Sequence, residues 1–148
     1  MIGPRSLGRV ADAAPEPASA AGRELRSIVD PGDGLLLTTS VPAPGVHLVR
    51  AWGELDIAGA EQLAACLAGV VARRSAHVIV DLVGLSFLGD SGISALVRAR
   101  TVAERAGTRL HVAGTATPAV RRPMLACRLL TVFGCYPTAA RAFADLQG

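Results

Sequence analysis

The stretch Leu85-Ser86-Phe87-Leu88-Gly89-Asp90-Ser91-Gly92-Ile93 gathers hydroxyls, a carboxylate and two glycines within a few residues. It follows an apolar, β-branched run and opens a helical pattern. That places it at the carboxyl end of a central strand, the edge where open α/β sheets bind their ligands and partners. A helix start there offers free backbone N–H groups and the positive end of a dipole. Asp90 or Ser91 is expected to serve as the N-cap. A phosphate on a serine at this point would be held by the helix end and would add about −1.5 to −2 charges to the surface, enough to reverse an interface. Two readings stand side by side: a plain helix cap, or a phosphorylation switch.

Catalytic alternatives fare worse. A serine nucleophile elbow needs Gly-x-Ser-x-Gly, and Gly89-Asp90-Ser91-Gly92 is one residue short of it. A phosphate-cradling loop needs a lysine, and the chain has none. His47, His77 and His111 fall on strands or strand starts, away from cysteine or carboxylate at metal spacing. They are read as structural or surface histidines, with no metal site. Cys66, Cys127 and Cys135 form no Cys-x-x-Cys pair. An odd count with no signal peptide suits a reduced, cytoplasmic setting. Cys127 and Cys135 are candidates for a redox pair if a turn brings them together. Against that stands the common role of free cysteine as a small buried hydrophobe. No cofactor is called for, and no nucleophile–base set can be assembled.

Composition narrows the class. Of 148 residues 51% are hydrophobic but only 3% aromatic, so the core must be aliphatic and base stacking is a poor fit. All 15 basic residues are arginine, and they are scattered rather than striped. Direct nucleic-acid binding is therefore not expected. No apolar run approaches the roughly 18 residues of a membrane span. The first residues also lack the basic-then-apolar order of a secretory signal.

The elements that must position the 85–93 stretch can be read in order. Residues 1–34 carry Pro4, Pro15, Pro17 and Pro31 and no sustained apolar period, so a disordered tail is expected, with at most a short helical turn over residues 22–29. A single domain is expected over residues 35–148. Its strands are predicted at 35–41, 46–53, 77–82, 109–113 and 131–136. Its helices are predicted at 57–74, 93–106, 117–130 and 138–146. Residues 84–92 are read as a loop. Pro123 falls inside the third helix and predicts a kink or a delayed start. The order ββαβαβαβα means an α/β domain with a mostly parallel central sheet edged by an initial β-hairpin.

With these elements placed, Gly53-Glu54-Leu55-Asp56 after a strand resembles the Gly-Glu-Leu-Asp signature of bacterial STAS-domain anti-sigma factor antagonists. The run His77-Val78-Ile79-Val80-Asp81-Leu82, then Leu85-Ser86-Phe87-Leu88 and Ser91-Gly92-Ile93, resembles that family's strand and switch loop. The resemblance covers residues 35–146. It implies a STAS-type fold and partner switching without catalysis. The unmodified antagonist binds an anti-sigma factor that is also a serine kinase, which frees a sigma factor for transcription. Phosphorylation of a switch serine releases the antagonist, and a serine phosphatase resets it. It also implies that Asp56, Ser86, Gly89, Asp90, Ser91 and Gly92 meet the partner. Asp56 and Asp81 are read first as a strand-end cap and a loop organiser.

The family loop reads Asp-Ser-Ser/Thr-Gly, and this chain departs from it. Aligned without a gap, Gly89 replaces the aspartate and Asp90 the phosphoacceptor, leaving Ser91 at the second hydroxyl position. A carboxylate is a partial mimic of phosphate, with less charge and no third oxygen. A second register keeps Asp90-Ser91 as the Asp-Ser pair, drops one residue before Gly92 and makes Ser91 the acceptor. The gapless register is favoured, because shortening a loop beside a helix start is costly in geometry. Three functions follow: an antagonist uncoupled from phosphorylation by Asp90, an ordinary switch on Ser91, or a STAS-based small-ligand or redox sensor with Cys127 and Cys135 or the 85–93 edge as its site.

Overall fold

The computed structural model describes residues 26–27 and 34–147. The tail expected over residues 1–34 lies outside the described residues, apart from Arg26, Ser27 and Gly34. Elements run β1 (Arg26–Ser27), β2 (Leu35–Ala43), β3 (Val46–Leu55), α1 (Ile57–Val71), β4 (His77–Leu88), α2 (Asp90–Arg105), β5 (Arg109–Ala113), α3 (Pro118–Ala126), β6 (Gly134–Tyr136) and α4 (Ala139–Gln147). The six strands lie side by side in chain order. β1, β2 and β3 pair antiparallel, and β3 to β6 pair parallel.

This order fixes the layers. Each parallel crossover is right-handed by strand twist, so three crossovers moving in one direction set their helices on one face. That face carries the main core, with Leu63, Leu67 and Val70 of α1, Leu96 of α2 and Met124 of α3 packed on Leu37, Val49, Val80 and Val112. The opposite face is covered by α4, where Ala139 and Ala142 meet Val46, Ile79 and Ala113. The β-branched run 78–80 is fully buried because helices cover it on both sides.

Four expectations are corrected. The helical turn over residues 22–29 is contradicted at Arg26 and Ser27, which pair with Thr39 and Thr38 as a strand. The open backbone edge of β2 outbids so short a helix, whose nucleation is unfavourable. The third helix stops at Ala126 rather than residue 130. Arg128 turns left-handed (φ 58°), and the Leu129 amide closes back on the Met124 carbonyl at 2.8 Å. The strand predicted at 131–136 shortens to Gly134–Tyr136, since Val132 and Phe133 turn back on the Leu129 carbonyl. The loop predicted at 84–92 is replaced almost entirely by strand and helix, as the site geometry makes clear.

Candidate functional site

The site grows from the pairing of β3 with β4. Glu54 lies opposite Phe87 and Leu55 opposite Leu88. Just beyond, the Gly89 amide donates to the Leu55 carbonyl at 3.0 Å. Gly53 is required upstream. It sits at φ +106°, and a Cβ there would run into the Gly34 backbone, whose carbonyl accepts from the Glu54 amide at 2.8 Å. The next turn starts α1, with the Asp56 carboxylate accepting from the Gly59 amide at 3.3 Å. Asp56 is thus the cap that closes β3 and opens α1.

Beyond Asp81 the chain stays in the sheet. β4 continues to Leu88 and α2 begins at Asp90, so Gly89 alone joins them. Gly84 looked like a breaker. It is a strand residue opposite Trp52, whose ring lies where a Cβ at position 84 would be. Register shifts between Arg50 and Trp52 and between Gly53 and Glu54 insert extra residues in β4. Asp81 holds the first of these. Its buried carboxylate accepts from the Val83 amide at 3.0 Å and pairs with Arg50 at 3.3 Å. It therefore organises a β-bulge rather than a loop.

The cap expected from Asp90 or Ser91 is also corrected. The N-cap of α2 is Gly89, which has no side chain to make a cap bond. Asp90 and Ser91 are the first and second helical residues. Asp90 is exposed, where its charge favours the helix dipole, and Ser91 is half-buried. Gly92 is buried, and a Cβ there would stand 2.7 Å from Leu55 Cγ and 2.9 Å from Leu88 Cδ1. The exposed Ser86 hydroxyl donates to the Gly53 carbonyl at 3.3 Å.

Asp56, Ser86, Gly89, Asp90, Ser91 and Gly92 therefore meet at one edge, between the N-termini of two adjacent helices. The edge also holds Glu54 and Phe87, both exposed, which the sequence reading did not single out. The second bulge explains Phe87. With Ser86 inserted, the period-2 alternation slips, and Phe87 turns away from the core that Leu85 and Leu88 enter. Glu54, Asp56 and Asp90 make the edge acidic. It offers acceptors and a surface for a partner, but no nucleophile–base pair.

The remaining chemical candidates lie elsewhere. His77 Nδ1 and His111 Nε2 are 3.1 Å apart across β4 and β5, one donating to the other. Burial, then the neighbouring His77 and Arg109, push His111 down to about 4. His47 Nδ1 hydrogen-bonds the Ser75 hydroxyl in the interior. Among the described residues, no group of three or more His, Cys, Asp or Glu could hold a metal ion. The three cysteines are free thiols. Burial pushes Cys66 up to about 11 and raises Cys135, which keeps both away from the reactive thiolate. No helix among the described residues is long and apolar enough to cross a membrane.

Together these features define a small α/β domain with a polar, acidic edge at the carboxyl ends of β3 and β4. The STAS domain family model matches residues 40–142, and the chain belongs to that family. Among solved structures, an anti-sigma factor antagonist from Mycobacterium paratuberculosis is similar at 27% identity and TM-score 0.67, covering 78% of this chain and 97% of that one. The Bacillus cell fate determinant SpoIIAA in its phosphorylated form is similar at 19% identity and TM-score 0.60, covering 74% and 98%. A sulfate transporter family protein from Wolinella succinogenes is similar at 18% identity and TM-score 0.57, covering 69% and 86%. No curated protein sequence matches.

Proposed function

We propose that the chain is a cytoplasmic anti-sigma factor antagonist. It binds an anti-sigma factor of the serine-kinase type through the Asp56–Asp90 edge and so regulates sigma-factor-dependent transcription, without catalysis and without touching nucleic acid. Support comes from the family, from the likeness to the mycobacterial antagonist, and from an edge that presents polar and acidic groups suited to docking. On this reading Asp90 stands where the phosphoserine stands in the family, and binding is uncoupled from the kinase.

The observation that carries the Asp90 assignment is the single-residue junction. β4 passes into α2 through Gly89 alone, and that residue is already bonded to Leu55. Deleting a residue here would draw either the strand end or the buried Gly92 out of place. The gapless register, with Asp90 at the acceptor position, needs no such shift. A second reading is favoured by one feature of Ser91: it is only half-buried as the second residue of the helix, where a phosphate would meet free N–H groups. That version is an ordinary switch, reset by a serine phosphatase. A redox sensor using Cys127 and Cys135 is the weakest version, because burial raises the Cys135 thiol above its ordinary value and so disfavours the thiolate.

The deciding experiment mixes purified protein with candidate anti-sigma kinases and ATP, and reads intact mass and complex formation together. A stable complex with no added phosphate is the expected result. One phosphate mapped to Ser91 would replace the uncoupled reading with the ordinary switch. Neither phosphate nor complex with any kinase-type partner would end the antagonist reading.

A further inference from the structure

The sheet face opposite α1, α2 and α3 is covered unevenly. α4 packs on Val46, Ile79 and Ala113, toward the start of β3 and β4 and the end of β5. Nearer the carboxyl ends of β3 and β4 the same face presents Leu36 opposite Trp52, with Trp52 lying over Gly84. Val83 and Phe87 flank them, each 50% exposed, and Leu36 and Trp52 are half-buried. Isolated exposed apolar residues are ordinary, but neighbouring ones in a group mark an interaction surface. This group is continuous with the candidate site, since the Phe87 ring stands 3.0 Å from where a Cβ on Gly89 would be. Glu54, opposite Phe87, rims it with negative charge, and Asp56 and Asp90 extend that rim. Arg50 on this face is engaged by Asp81.

We propose that the partner's interface runs from the Asp90 edge down this sheet face, which no described residue covers, with Trp52 and Phe87 as its affinity-determining centre. The occupant is the same anti-sigma factor, through an apolar surface bordered by basic side chains. The inference rests on the antagonist reading and extends it from a polar edge to an apolar centre. Interfaces place their binding energy in such central aromatic anchors, while the charged rim sets approach and orientation. Asp90 then governs the rim, and Trp52 and Phe87 govern how long the complex lasts.

Trp52 is the chain's single tryptophan, so it reports the event directly. The experiment titrates the full chain with the anti-sigma factor and follows tryptophan emission, using a partner whose own tryptophans are replaced. Affinity is measured by calorimetry on the same samples. A blue shift on binding is expected, with about 10-fold or greater loss of affinity in Phe87→Ser and Val83→Ser. Val97→Ser, an exposed change on α2, should bind as wild type does. If the wild type binds but emission and both variants are unchanged, this inference fails while the antagonist reading stands. If the free chain already emits as a buried indole, the face is covered by the chain itself and the inference also fails. If the wild type does not bind at all, both fall together.

Discussion

The Gly89 amide donates to the Leu55 carbonyl at 3.0 Å, tying the end of β4 to the end of β3 at the point where both strands become helices. This bond sets Asp56 and Asp90, residues far apart in the chain, as the next residues on two neighbouring helix starts. It also makes the junction rigid. In a switch built on a flexible loop, a phosphate could act by reordering the loop. Here the junction is the single residue Gly89, so on the proposed reading a charge at position 90 acts on the partner directly rather than by reordering a loop.

Replacing that charge is therefore informative. Asp90→Ser restores a hydroxyl on an exposed first helical residue, and it is expected to gain one phosphate from a cognate kinase while wild type gains none. Tandem mass spectrometry of the product locates the group. Phosphate on Ser91 in the wild type, with none on the new serine, would reverse the register.

Gly92 is first of all a packing residue. A side chain there would press into Leu55 and Leu88 at 2.7–2.9 Å, and neither can retreat from the core. Gly92→Val should cost about 1–3 kcal/mol of stability, as overpacked cores do, and weaken partner binding through the displaced helix start. Urea denaturation measures the first and calorimetry the second. Unchanged stability would mean that α2 can shift without penalty.

Acid should loosen the domain at the β4–β5 pair. His111 has its folded pKa near 4, below the ordinary value of 6.5, because the site is buried and faces His77 and Arg109. The unfolded chain thus takes up this proton more readily than the folded one. Stability is whole above pH 6.5 and falls as pH drops from 6.5 toward 4, by ~2–3 kcal/mol at most. The Tyr136 ring, 6.0 Å from the His111 ring centroid, is the polar neighbour from β6. Chemical denaturation of wild type and His111→Gln at pH 7 and pH 4.5 tests this. The variant should show a smaller pH difference, and equal differences would place the sensitive group elsewhere.

Two arginines do the work usually given to glycine. Arg74 (φ 62°) and Arg128 (φ 58°) adopt the left-handed conformation just past the ends of α1 and α3. An L side chain there costs about 1–2 kcal/mol, which glycine avoids. Arg74→Gly should gain ~0.5–1 kcal/mol net of the entropy it adds to the unfolded chain, with partner binding unaffected. Thermal melts would reveal the gain. A lower melting temperature would mean that the Arg74 side chain makes a stabilising contact outweighing its backbone.

By itself the sequence determined the fold class and which residues gather at the carboxyl ends of β3 and β4. Helical spacing placed α1 and α2, the buried β-branched run fixed the centre of the sheet, and strand–helix alternation dictated parallel pairing. Local chemistry also put the 85–93 stretch at a sheet edge. What only the tertiary structure decided was which residues are strand and which are free there. Gly84 reads as a breaker in isolation, yet it is held in β4 because Trp52 on the neighbouring strand needs the space. Ser86 and Phe87 read as loop, yet a bulge against Gly53 and Glu54 turns both outward. The cap of α2 passed to Gly89 because pairing with Leu55 carried β4 almost to the helix. Each difference has one physical cause: hydrogen bonding to a strand distant in sequence outweighs local turn propensity, and no pattern within a single segment records that partner.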